Sequence, residues 1–352
     1  MSWEDYSAEQ NKKNPFENHA CGFRQGKEYQ IIMEKTEIPV IDVIIPAYRP
    51  DDSFHKLIRL LLGQSVKPHH IYVLQTIEDG EQVLQPLDQR MSVHPVPKKE
   101  FDHGATRDYG AGLAVKDIGD DISQHYILFM TQDAVPAGTE LLERLVKPFG
   151  DDRTAITYAR QLAREEADLL ERLTRVHNYP PEDQVKSKED LERLGIKTYF
   201  CSDVCAMYRL DRYMEQGGFV HPTIFNEDMI MASRMIQAGY QVVYCGSAEV
   251  VHSHNYSCMQ QFHRNFDLGV SQKQYREVFE SISSEKEGAG YAKSTLLYLL
   301  KRGKPGKAFY FALQCGFKLI GYKLGKNYDH LPRKMVLWCT MTPGYVLFHQ
   351  DE

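Results

Sequence analysis

Short apolar runs that stop at turn residues alternate with amphipathic stretches along most of this chain. Pro39 to Pro46 is a β-branched run bounded by prolines and predicts a buried first strand. From Asp51 to Gln64 the apolar positions fall at 54, 57, 58, 60, 61 and 62 behind a polar start, which is helical spacing. Strands are expected at 70–75, 93–97 and 126–130, with a helix at 105–115. The pattern continues with a helix at 139–149, a strand at 154–159 and a charged, mostly helical stretch at 164–194 broken by Pro180 and Pro181. Strand character returns at 198–208 and 241–245, separated by helices at 210–216 and 225–238. From Ser257 onward the chain reads as helical. Strands alternating with helices imply an α/β fold with a parallel sheet covered on its faces. Residues 1–38 are polar and weakly patterned, an N-terminal arm.

Four local clusters carry the chemistry. The strand Tyr126 to Met130 stops abruptly at Thr131-Gln132-Asp133, delivering a carboxylate to the sheet edge where α/β folds bind ligands. Asp133 either holds a divalent metal, and through it a diphosphate, or caps the turn before Pro136. Asn226-Glu227-Asp228 opens a helix. Asn226 as N-cap with acidic residues in the first turn would account for the triplet, and a carboxylate there can instead take a proton from a hydroxyl. In His252-Ser253-His254, alternation puts both imidazoles on one face, as metal ligands or hydrogen-bonded core residues. Finally, Gln261 and Arg264 lie on a helix where the arginine faces either phosphate or solvent. Phe101 to Asp108 adds a glycine, Gly104, before a helix with Arg107 in its first turn, a setting for anion contact.

Composition narrows the classes. At 352 residues, 42% apolar and 26% charged, the chain suits one large α/β domain with an appendage, or two domains. The net charge of −6 does not suggest a nucleic-acid partner. That average hides an asymmetry: residues 291–334 hold ten Lys/Arg against one acid, Asp329. A basic, aromatic-rich segment of this kind meets an anionic membrane, packs on the catalytic domain, or forms a homodimer contact. Seven cysteines without a CxxC pair point to a reducing cytoplasm, and neither a secretory signal nor an apolar run of about 18 residues is present.

Taken together and in order, VIIPAYRP at 43–50, FDHGATRDYGA at 101–111, FMTQDAVP at 129–136, FNEDMIM at 225–231, VVHSHNYS at 250–257 and QQFHRNFDLGV at 260–270 resemble the family-2 glycosyltransferases of GT-A fold, and among them bacterial rhamnosyltransferases. The likeness covers roughly residues 40–275. It implies a GT-A domain at 39–275, with a nucleotide-binding half at about 39–150 and an acceptor half at about 151–275, followed by a basic helical region at 276–352. It implies a nucleotide-sugar donor, dTDP-rhamnose, an acceptor hydroxyl on a glycan or lipid-linked glycan, and Mg2+ or Mn2+ as cofactor. By the same resemblance Asp133 stands for the last carboxylate of the metal-binding Asp-x-Asp. Thr131 replaces the first, and His252 or His254 supplies the missing ligand. Asp228 matches the catalytic base, with Glu227 beside it. Pro46, Tyr48, Arg49, His103, Gly104, Arg107 and Gln132 fall on the donor side. Gln261 and Arg264 match a Gln-x-x-Arg-Trp motif in which Asn265 replaces the tryptophan, and they face acceptor or diphosphate. The strand that ends near Gln75 runs on through Glu78 and Asp79, leaving the residue that reads the base open. The expected setting is the cytoplasm, at the inner face of the membrane. Two rival readings are a nucleotidyltransferase in which Asp133 and Asp228 both bind metal, and a glycan-binding module with a decayed site.

Overall fold

Strand β1 (Val40–Tyr48) is buried on both faces because its apolar residues do not alternate with polar ones; Ile44 lies on one face and Val43 and Ile45 on the other. A computed structural model of the chain describes residues 39–119, 122, 124–280 and 285–348. The arm expected at 1–38 lies outside the described residues. Helix α1 (Asp52–Leu62) follows with Asp51 as its N-cap, the carboxylate accepting from the Ser53 and Phe54 amides. Next come β2 (His70–Ile77), β3 (Met91–Pro97), α2 (His103–Ile118) and β4 (His125–Met130). These four strands run parallel in the order β3-β2-β1-β4. They supply the parallel strands expected in this part of the chain.

The second half is mixed. After β5 (Val135–Pro136), α3 (Leu141–Val146), β6 (Thr154–Leu162), α4 (Leu169–Asn178), β7 (Gln184–Lys186) and α5 (Leu191–Leu194), strand β8 (Cys205–Arg209) inserts antiparallel between β4 and β6. Helices α6 (Leu210–Glu215) and α7 (Glu227–Gln237) lead to β9 (Gln241–Val251), which runs parallel to β6 and antiparallel to β5 and β7. The α/β class and the flanking helices are as expected, while the parallel arrangement holds for the first half and not the second. The strand character read at 198–208 resolves into a 3-10 turn at Gly195–Tyr199 and a strand only from Cys205. The apolar run there serves the core without pairing until the chain enters the sheet.

Beyond the sheet lie α8 (Cys258–Gln274), α9 (Arg276–Phe279), α10 (Glu285–Lys301), α11 (Pro305–Gly325), α12 (Arg333–Cys339) and α13 (Pro343–Phe348). Helix α11 packs on α8 at unusually close range through glycine. A Cβ added at Gly321 would lie 2.2 Å from the Phe262 carbonyl oxygen, and one at Gly325 2.0 Å from that of Phe266. This closeness fixes the position of α8, the helix that carries Gln261 and Arg264. We therefore expect Gly321→Val to destabilise the fold by about 1–3 kcal/mol. Gly316→Ala, on the open side of the same helix, has nothing within 4 Å and gains helix propensity. Urea unfolding of the two variants should move the midpoint in opposite directions. Asp267 of α8 ties down the end of the chain, accepting from the Thr340 hydroxyl at 2.6 Å and the Met341 amide at 2.9 Å. No helix among the described residues is long and apolar enough to cross a membrane.

Candidate active site

The turn after β4 and the segment after β9 bring Asp133, His252 and His254 together. Asp133 Oδ2 lies 3.5 Å from His252 Nε2 and 3.3 Å from His254 Nε2, and the two Nε2 atoms are 3.1 Å apart. Three donors on one face of an octahedral cation with bonds of about 2.1 Å sit roughly 3 Å from each other. The observed triangle has that spacing, so these residues fit a single divalent ion. His252 Nδ1 lies 3.0 Å from Gln161 Oε1. Because Gln161 Nε2 donates to Ser202 Oγ at 3.0 Å, its oxygen is the atom facing the ring; Nδ1 carries the proton and the Nε2 lone pair points at Asp133. Burial holds His252 down at about 3 and also lowers His254, so both imidazoles stay neutral, the form that binds metal. The buried hydroxyl oxygen of Thr131 has no hydrogen-bond partner among the described residues. Arg164 crosses behind, donating to the Asp133 carbonyl at 2.9 Å.

The second centre is a knot of carboxylates at the start of α7. Asn226 does not cap this helix with its side chain: its φ is +67° and its amide donates to Ser271 Oγ at 2.9 Å. A left-handed residue held there by α8 is local strain, and it aims the next two carboxylates inward. Glu227 is buried and accepts from Arg107 Nη1 at 2.9 Å. Asp203, fully buried, lies 3.7 Å from Arg107 Nε and accepts from the Tyr208 hydroxyl at 2.7 Å. Asp228 is half-buried; Oδ2 accepts from the Asp203 amide at 3.2 Å and Oδ1 from the Met229 amide at 2.7 Å. One guanidinium among three carboxylates leaves excess negative charge. Burial, then the neighbouring Glu227, push Asp228 up to about 7, and burial also raises Asp203.

The two centres are joined. The Asp203 amide donates to Asp228, and the preceding residue, Ser202, accepts from Gln161, which meets His252; these three hydrogen bonds are 3.0 to 3.2 Å long, and the Ser202–Asp203 peptide completes the link. Arg264 of α8 lies close enough to His103 and His254 to act on both electrostatically. Its guanidinium sits 4.6 Å from the Phe225 ring and 5.9 Å from that of Tyr256, with no carboxylate partner among the described residues. Gln261 and Lys318, the latter on α11, share a cavity with His254, Asn255 and Tyr256. Lys318 is half-buried without a hydrogen bond or ion pair among the described residues, and burial lowers its pKa. The sequence offered no motif for Lys318, and only the close packing of α11 on α8 brings it here. Asp203 was equally hidden, a single acid in an unremarkable loop.

The expected donor-side residues divide. Tyr48, Arg49 and Glu78 meet at the carboxyl ends of β1 and β2, beside Lys98 just past β3. The Tyr48 hydroxyl donates to Glu78 at 2.6 Å, and Lys98 donates to the same carboxylate at 2.6 Å. Pro46 lies within β1 just below them. Gln132 grips the Tyr48 backbone with both amide atoms, at 2.9 and 3.0 Å. His103 starts α2, beside Glu227. Two of these residues also serve the fold. Arg107 is buried, with Nη1 on Glu227 and Nε facing Asp203. Gly104 is required by packing, since a Cβ there would lie 2.2 Å from the Val220 carbonyl oxygen.

Comparison with known proteins gives the family. The model of glycosyl transferase family 2 matches residues 42–215. The O-antigen chain rhamnosyltransferase RfbN of Salmonella typhimurium is 36% identical over 315 residues, covering 87% of this chain and 95% of its own length. The O-antigen chain rhamnosyltransferase WbaN of Salmonella anatum is 33% identical over 319 residues, with 88% and 96% covered. A solved structure, the mannosyltransferase PcManGT from Pyrobaculum calidifontis in complex with GDP-Man and Mn2+, aligns over 90% of this chain and 89% of its own at 13% identity and a TM-score of 0.47. With a third or more of its residues shared with two such enzymes over nearly their full length, the chain belongs to the family-2 glycosyltransferases.

Proposed function

We propose that this glycosyltransferase moves L-rhamnose from dTDP-rhamnose onto a hydroxyl of a lipid-linked glycan, by a single displacement with inversion, at the inner face of the membrane. The observation that carries the mechanism is Asp228: a partly exposed carboxylate raised to about 7, linked through the Ser202–Asp203 backbone and Gln161 to a triad fit for a cation. The sugar itself rests on the likeness to RfbN and WbaN.

In this reading the nucleoside lies over the tips of β1 and β2, against Pro46, Tyr48 and Arg49, with Glu78 as the strand-end carboxylate. A divalent cation, Mg2+ or Mn2+, held by Asp133, His252 and His254, supplies a Lewis acid for the charge on the leaving diphosphate. Arg264 and Lys318, unpaired cations at the same place, face that charge. Asp228 accepts the proton of the acceptor hydroxyl as its oxygen attacks the anomeric carbon from the face opposite the diphosphate. Glu227, the carboxylate next to Asp228, is held by Arg107 and does not serve as a covalent nucleophile in this reading. Asp228 lies outside the triad, which favours its role as base over that of a second metal-binding carboxylate in a nucleotidyltransferase.

The test is the linkage formed from dTDP-rhamnose: NMR of the product should give an anomeric configuration opposite to that of the donor, and retention would exclude single displacement. The metal has a separate test. Gln161→Leu, which removes the group orienting His252, should weaken Mn2+ binding about 10–100-fold. The metal concentration giving half of the full thermal shift reads this without any turnover.

A further inference from the structure

The outward face of α11 is apolar where a helix packed on a catalytic domain ordinarily shows charge. Phe309, Ala312, Leu313, Gly316, Leu319 and Ile320 recur at helical spacing on the exposed side, with Phe309 69% exposed and Ile320 55%. The stripe runs about 17 Å along the helix. Leu297 and Leu300, 49% and 54% exposed, carry apolar surface along α10. Lysines close both ends of the hairpin: Lys301, Lys304 and Lys307 at the turn, and Lys323 at the far end of α11. None of these four has a carboxylate partner among the described residues. Asp329, the one acid among residues 291–334, is held by Lys273 at 2.7 Å.

We infer that the α10–α11 hairpin docks on the headgroup region of an anionic membrane, with the stripe entering the acyl boundary and the lysines meeting lipid phosphates. An amphipathic helix with an apolar stripe and a basic rim is suited to lying in the interface plane. A second copy of this chain fits the face poorly, since a two-fold contact would set these lysines against their own counterparts. The inner face of the same helix holds α8 through Gly321 and Gly325 and presents Lys318 to the site. One rigid element therefore spans from lipid to catalytic cleft. This deepens the membrane-acceptor reading above and rests on it.

The experiment is flotation of the full chain with vesicles of phosphatidylcholine, alone or mixed with phosphatidylglycerol, at low salt. The chain should rise with the mixed vesicles and stay down with the neutral ones. Lys304→Gln and Lys307→Gln, which neutralise the two lysines, should each weaken partition about fivefold. The triple variant Phe309→Asp, Leu313→Asp, Ile320→Asp should not float, while hydrolysing dTDP-rhamnose at the wild-type rate, which shows that it is folded. A wild-type chain that stays down, a triple variant that floats normally, or a dimer split by the triple variant without any lipid binding would each overturn the inference. Flotation by a chain that turns over no donor would support the docking face while sinking the rhamnosyl-transfer reading, so the two failures are distinct.

Discussion

Replacing Asp228 by Asn should lower the rate of sugar transfer by about 10²–10⁴ while leaving donor affinity within a few-fold of wild type. The amide keeps the shape of the carboxylate, and its single oxygen can still accept from the Met229 amide as Asp228 Oδ1 does at 2.7 Å, while the bond that Oδ2 takes from the Asp203 amide is lost. The Asn side chain cannot accept the acceptor proton. Steady-state transfer and dTDP-rhamnose titration of the same preparation separate the two effects. Loss of donor binding along with transfer would mean that Asp228 is part of the donor site and not the base. Glu227→Gln should behave differently, because Glu227 answers the Arg107 guanidinium and not the substrate. Its effect belongs to stability and to the raised pKa of Asp228, whose second cause is the Glu227 charge.

Arg107→Ala should be the most destabilising single change in the site, costing about 3–5 kcal/mol. Arg107 is 5% exposed and is the cation that answers both Glu227 and Asp203. Among the described residues Asp203 Oδ2 has no hydrogen-bond partner beyond this ion pair. Truncation strands two buried carboxylates beside Asp228, so protonation or unfolding must relieve them. The double variant Arg107→Ala, Glu227→Gln removes one stranded charge and should recover part of the loss. Urea midpoints measured at one pH for wild type, the single variant and the double variant check the order. A single variant as stable as wild type would mean that the guanidinium contributes nothing to the cluster.

Much of this arrangement was legible in the sequence because strand-end acids announce themselves. The apolar run into Asp133, and two histidines at alternate positions, needed only β4 and β9 to lie in one sheet for their tips to meet. The partners of Arg107 were hidden for a physical reason. An arginine in a first helical turn after a glycine suits an anion, and nothing local reveals that Glu227 and Asp203 arrive from 120 and 96 residues away to occupy it. Asn226 misled for the same reason. Its residue type signals a cap, whereas the tertiary bond to Ser271 draws it into the left-handed region. Lys318 depends wholly on the glycine-mediated crossing of α11 on α8, a contact between segments far apart in sequence. Local pattern therefore located the elements and most of the acids and histidines. The pairing of charges belonged to the fold.

The pH dependence of kcat/KM for rhamnosyl transfer probes the proposed base most directly. A carboxylate raised to about 7 must lose its proton before it can act, so the rate should fall tenfold per pH unit below about 7 and level off above it. That acid limb should vanish from the residual activity of Asp228→Asn. A profile flat through this range, or the same limb persisting in the Asn variant, would place the proton transfer on another group.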